Sequence, residues 1–252
     1  MIDFGCPLVH HYVMQGRASS ALTTITSEAR ALAAVALVTI AVAVTPTSAV
    51  AKCMPVGRGP DNDRVEHVSR VATHGSDAIT AVKSHIYAYS PWVYPGGFSY
   101  SYVMLDRAAP WTWAQIGHYE AASDDRWVYA QWANGTQGSL DFWRGSPVAL
   151  GTYRLFTVSK FGGVFNFIEG TITRKQVTMS WTPTTTEISS EVHNIATQMM
   201  GESGEHVNFD DNKMRINGGS YQSFDGVLYS YNTSWYSASG NSLSFDTWDD
   251  TC

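Results

Sequence analysis

Thiol chemistry has little to work with in this chain: 252 residues hold three cysteines, Cys6, Cys53 and Cys252. Charge is scarce as well. Asp, Glu, Lys and Arg make up 15% of the residues, and the net charge is a mildly acidic −6. No basic cluster stands out, which argues against nucleic acid or an anionic membrane as partner. No HExxH or similar close histidine pair occurs, so no catalytic zinc site is written here. Acidic pairs such as Asp210-Asp211 and Asp249-Asp250 read as solvated turns, and neither a metal nor another cofactor is expected. Gly201-Glu-Ser203-Gly204 and Gly218-Gly219-Ser220 both lack the spacing of a nucleophile elbow. No segment repeats at a fixed period, and helical periodicity is almost missing.

Apolar runs of membrane-spanning length are missing too. The longest, residues 31–44 (ALAAVALVTIAVAV), has 14 residues where a bilayer span needs about 20. It follows Arg17 and Arg30 and precedes Thr45-Pro46-Thr47-Ser48 and then Ala49-Val50-Ala51. Basic flank, short apolar core, breaker and small-x-small site together describe an export signal, and cleavage is predicted after Ala51. Residues 52–252 would then be secreted, with no membrane attachment. Two basic and two acidic residues leave with the leader, so the net charge stays at −6. Cys6 leaves as well. Cys53 and Cys252 remain, one near each end, and an oxidising destination favours a bridge between them over two free thiols.

What is abundant is alternation. Residues 52–76 are punctuated by Pro55, Gly57 and Gly59-Pro60 and read as an extended lead-in, with one or two helical turns over residues 65–71. From residue 77 to 252 about a dozen short strands follow, separated by turn signals such as Asn134-Gly135 and Gly162-Gly163. The best helix candidate is residues 192–200, short enough that part of it could equally extend a strand. The class this predicts is all-β: a single antiparallel β-sandwich of the jelly-roll, concanavalin-like type, monomeric.

Two strands carry the candidate chemistry. In residues 111–120 (WTWAQIGHYE), alternation puts Trp111, Trp113, Gln115, Gly117 and Tyr119 on one face. An uncharged amide among aromatics is an unusual choice for a plain core strand. In Glu187-Ile-Ser-Ser-Glu191-Val-His193, the two carboxylates and the histidine share one face, which is either a solvent face or the wall of a cleft. Trp113, Tyr119 and His193, with Trp92 beside Pro91 in a turn, are the candidate binding residues.

These stretches resemble the glutamic peptidases. In the fungal group, the eqolisins, a Gln-x-Gly strand pairs with a later Glu-x-x-x-Glu strand. Gln115-Ile-Gly117 matches the first and Glu187-Ile-Ser-Ser-Glu191 is similar to the second. Ile86-Tyr-Ala-Tyr-Ser-Pro91-Trp-Val and Phe98-Ser-Tyr-Ser are similar to the neprosin-like branch, which has a glutamate where this chain has Gln115. The resemblance implies a jelly roll in which Glu187 moves the proton between water and the leaving amine, Gln115 holds the water and the oxyanion, and Glu191 is the reserve base. The early Asn-Trp-Ala-Gly stretch of the group is missing, and Ile188 stands where it has an aromatic. Fold kinship alone does not assign function. Two readings follow: a non-catalytic binder of extracellular or cell-wall polymer, or a Gln/Glu endopeptidase working at acidic pH. The binder would show exposed tryptophans in a row. The peptidase needs Gln115 and a Glu187 or Glu191 carboxylate to meet across a concave face within about 3 to 4 Å or through one water, and a buried Gln115 with its amide bound to backbone would exclude it.

Overall fold

Alternating apolar residues become the inner faces of two stacked sheets. The computed structural model describes residues 52–55, 57–61, 64–107, 109–122, 125–136, 140–230 and 233–252. The predicted leader, residues 1–51, lies outside the described residues.

The strands are β1 (Val65–Thr73), β2 (Ile79–Tyr87), β3 (Phe98–Asp106), β4 (Thr112–Ala121), β5 (Asp125–Asn134), β6 (Asp141–Pro147), β7 (Tyr153–Phe161) and β8 (Val164–Glu169). They continue with β9 (Ile172–Thr178), β10 (Thr185–His193), β11 (Val207–Ile216), β12 (Gln222–Ser223), β13 (Val227–Ser230), β14 (Tyr236–Gly240) and β15 (Phe245–Asp249). All pairings between them are antiparallel. The first sheet runs β13-β1-β10-β3-β4-β5-β6 and the second β14-β15-β11-β2-β7-β8-β9, with β12 paired to β11. Val103, Leu105, Ile116, Val128, Ala130 and Ile188 of the first sheet meet Val82, Ile86, Phe156, Val158, Phe165, Phe167 and Phe209 of the second, and all are fully buried.

The sandwich starts earlier than the sequence pattern suggests. Residues 65–73, read as lead-in with helical turns, form β1 between β10 and β13. Val65, Val68 and Val71 are spaced like one side of a helix. The period that prevails is two: Val68 and Ala72 go to the interior, while His67, Ser69 and Val71 lie on the other face. The predicted helix over residues 192–200 is not formed. β10 continues to His193, Asn194 turns the chain at φ 71°, and every residue from 194 to 200 is buried. A segment enclosed on all sides has no polar stripe to show to water, so its backbone follows the packing instead.

The described residues between 52 and 61 form no strand or helix and are tied down at three points. Cys53 bridges to Cys252 across a sequence separation of 199, with Cα atoms 5.5 Å apart. Closing so long a loop stabilises by up to roughly 5 kcal/mol in the chain-entropy account. Lys52 Nζ lies 2.6 Å from the fully buried Glu120. Arg58, whose side chain is completely enclosed, pairs with Asp249 and donates to Tyr236 Oη at 2.5 Å and Thr251 Oγ1 at 3.0 Å. Replacing Arg58 by Met would strand the Asp249 carboxylate without its counter-charge. The expected loss is about 3 to 5 kcal/mol by urea denaturation at pH 7. A loss below about 1 kcal/mol would mean that Asp249 is satisfied without Arg58.

Candidate active site

Register brings the two predicted strands to one surface. On the outer face of the first sheet, away from the core, Glu187 of β10 stands opposite Met104 of β3. Gln115 of β4 stands opposite the same Met104 from the other side. Glu187 and Gln115 therefore occupy one row, separated by a single strand, about 10 Å apart at the backbone. Glu191 lies two repeats further along β10, opposite Tyr100, with Tyr102 in the row between the two glutamates.

Gln115 does not bond Glu187 directly. Its Nε2 donates to Tyr129 Oη and to Gln131 Oε1, each at 3.0 Å. Tyr129 sits close enough to feel the charge of both glutamates; burial first, then neighbouring Tyr100 and Glu191, pushes its phenol well above the usual value. Tyr102 behaves alike and stays a neutral donor. Its hydroxyl reaches Glu191 Oε2 at 2.9 Å and Glu187 Oε1 at 3.2 Å. His193 Nε2 lies 2.7 Å from the other oxygen of Glu191.

The two carboxyls are pushed apart. Burial raises Glu187, the charge of Glu191 adds to that, and His67 opposes it. Burial would raise Glu191 too, but His193, His67 and the Tyr102 hydroxyl outweigh it, and the net direction is down. A pair of carboxyls split in this way is the electrostatic pattern of an acid/base group beside a permanent anion.

Gly117 explains its own residue type. A Cβ there would lie 1.9 Å from the Ser101 carbonyl oxygen and 2.7 Å from Tyr102 Cα, both main-chain atoms of β3 that cannot swing aside. Gly117→Ala should push β3 from β4 beside Tyr102. Its expected cost is about 1 to 3 kcal/mol, a fall in melting temperature of roughly 2 to 10 °C for a domain of this size. An unchanged melting temperature would show that the strands part freely.

The binding candidates divide. Tyr119 is buried in an aromatic cluster with Tyr100, Tyr129 and Phe142. His193 belongs to the carboxylate array. Trp113 is half-buried on the Gln115 face at the end of the row pairing Asp106 and Ala133. Trp92 is not on this face: it lies in the segment before β3, half-buried, its backbone N–H donating to Gln198 Oε1 at 2.7 Å. None of the nine tryptophans is exposed. Sequence reasoning missed Tyr102, Tyr129, Gln131 and His67 as site residues. Alternation places each on a definite face of its own strand, but cross-strand neighbours depend on register.

The class that these elements define is an antiparallel jelly-roll sandwich whose outer sheet face carries a Gln-x-Gly strand beside a two-glutamate strand. Solved structures place it further. Residues covering 76% of this chain superpose on 100% of scytalido-glutamic peptidase, bound to a peptide-based transition-state analogue, with a TM-score of 0.54 and 9% identity. The same enzyme with a transition-state analogue inhibitor gives 0.53, again at 9% identity over 76% of this chain and 100% of that one. The laminarinase catalytic domain of Thermotoga maritima gives 0.38, at 9% identity over 74% of this chain and 77% of its own. No family profile and no curated protein matches the sequence. At such identities the likeness is one of fold: this chain has the jelly-roll sandwich of the glutamic peptidases.

Proposed function

We propose that this face is the catalytic site of an exported glutamic-type endopeptidase. The observation that carries the reading is the row Glu187–Met104–Gln115, one titratable carboxyl and one amide flanking a single strand. Catalysis requires a water and a peptide carbonyl to bind between them, over Met104. Glu187 takes a proton from the water as its oxygen attacks the scissile carbonyl carbon. Gln115 donates an amide N–H to the oxyanion. Collapse of the tetrahedral intermediate breaks the C–N bond, and Glu187 returns the proton to the leaving amine. Both Gln115 N–H groups are engaged in the free protein. The Tyr129 hydroxyl can donate as well as accept, so a half-turn of the Gln115 and Gln131 amides together would let both donate to Gln115 Oε1 and free its N–H groups for substrate.

A polymer binder without catalysis has less support, because stacking on sugar rings needs exposed tryptophans and none is exposed. Export rests on the leader pattern and on the bridge between Cys53 and Cys252. The test is casein incubated with purified protein between about pH 2 and 7. Cleavage at internal bonds that disappears in Glu187→Gln supports the peptidase. No cleavage at any pH, with tryptophan fluorescence quenched by oligosaccharide, would replace it with the binder.

A further inference from the structure

Tyr102 has one proton to give and two carboxyls within reach. Glu191 is the nearer, and its other oxygen meets His193. The groups facing Glu191 are Glu187 and His193 on its own strand, His67 on β1, Tyr100 and Tyr102 on β3, and Tyr129 on β5. Of these only the two histidines can carry positive charge.

We propose that His193, Glu191 and Tyr102 form a one-way hydrogen-bond chain that leaves the exchangeable proton on Glu187. His193 donates Nε2–H to Glu191 Oε1, and Tyr102 donates its O–H to Oε2. With its proton spent, the Tyr102 oxygen can only accept, so its contact with Glu187 is made by the acid form, Glu187 O–H donating to the phenol oxygen. Glu191 stays an anion held by His193, while Glu187 alone cycles between acid and carboxylate. This selects Glu187 over Glu191 as the proton carrier and makes His193 a positioning residue acting through Glu191. The opposite directions in which the two carboxyls are shifted agree with it. The catalytic consequence rests on the peptidase reading; the chain itself does not.

The test uses His193→Gln in the full protein. Gln keeps a donor toward Glu191 and loses the charge, and His193 is partly exposed, so the core is spared. Carboxyl carbon NMR should show Glu191 ionising below Glu187 in the wild type. In the variant the Glu191 transition should rise by about one pH unit, the acid limb of casein hydrolysis, set by Glu187, should shift through its coupling to Glu191, and His193→Lys should restore both. A purely structural role for His193 would lower the rate at every pH and leave the limb in place. An unmoved Glu191 transition, or Glu187 ionising first in the wild type, overturns the chain. Titrations as expected in a protein that cleaves nothing would uphold the chain and remove the peptidase.

Discussion

Glu187→Gln is expected to lose at least about 10³-fold in casein hydrolysis at its optimum pH, with the fold intact by circular dichroism. The substitution keeps the shape of the side chain and its bond to Tyr102, and removes only the capacity to take up a proton. Gln115 cannot substitute, since an amide does not titrate. Tyr102 and Tyr129 hold their protons too tightly to serve as bases. Glu191 is held as an anion by His193, His67 and Tyr102, and so is a poor proton carrier. A loss of 10³ corresponds to about 4 kcal/mol of transition-state stabilisation. Should Glu191→Gln abolish cleavage while Glu187→Gln keeps most of it, the two roles would be exchanged. Because burial raises Glu187, the acid limb of the rate profile should lie above the usual range of a glutamate, and the rate should fall as pH drops through it.

His118 is expected to limit stability in the same acidic range. It lies on the core side of β4, next to Phe156, and neither ring nitrogen has a hydrogen-bond partner among the described residues. Burial first, and the charge of Arg154 second, push its pKa down to about 3. The unfolded chain takes a proton near the ordinary value of 6.5, which the folded protein refuses. The stability is therefore fully present above about pH 6.5 and is lost progressively as pH falls toward 3. The difference is worth up to roughly 5 kcal/mol, at 1.36 kcal/mol per unit. Glu187 and Glu120, both raised by burial, act with the opposite sign: their contribution is complete in acid and is lost as pH rises through their folded values. His118→Leu removes the imidazole term alone. Urea denaturation from pH 7 to 3.5 should show the variant gaining on the wild type as pH falls, by several kcal/mol at the acid end. Parallel curves would show that the imidazole is protonated within the fold.

Much of this architecture was legible in residue order. Gln115 and Gly117 share a face because alternation is local, and so do Glu187, Glu191 and His193. The all-β class followed from the same alternation between turn signals, and the Cys53–Cys252 bridge from a pair left at the two ends of a chain with export features. The misreadings have local causes. Val65, Val68 and Val71 imitate a helix side at threes while their strand obeys twos. Residues 194–200 mix four apolar with three polar residues and are all buried, so their surroundings decide their secondary structure.

The sequence by itself determined which side chains point to a common side of each strand, because the pleat repeats every two residues whatever the neighbours are. Which strands lie side by side, and with what register, only the tertiary structure decided. Sheet order is set by long-range packing of the two inner faces and by backbone contacts such as the approach of Gly117 to Ser101. That order put β3 between β4 and β10, with Met104 separating Gln115 from Glu187 and Tyr102 reaching both glutamates. The candidate site is a property of that pairing, since no single strand contains it.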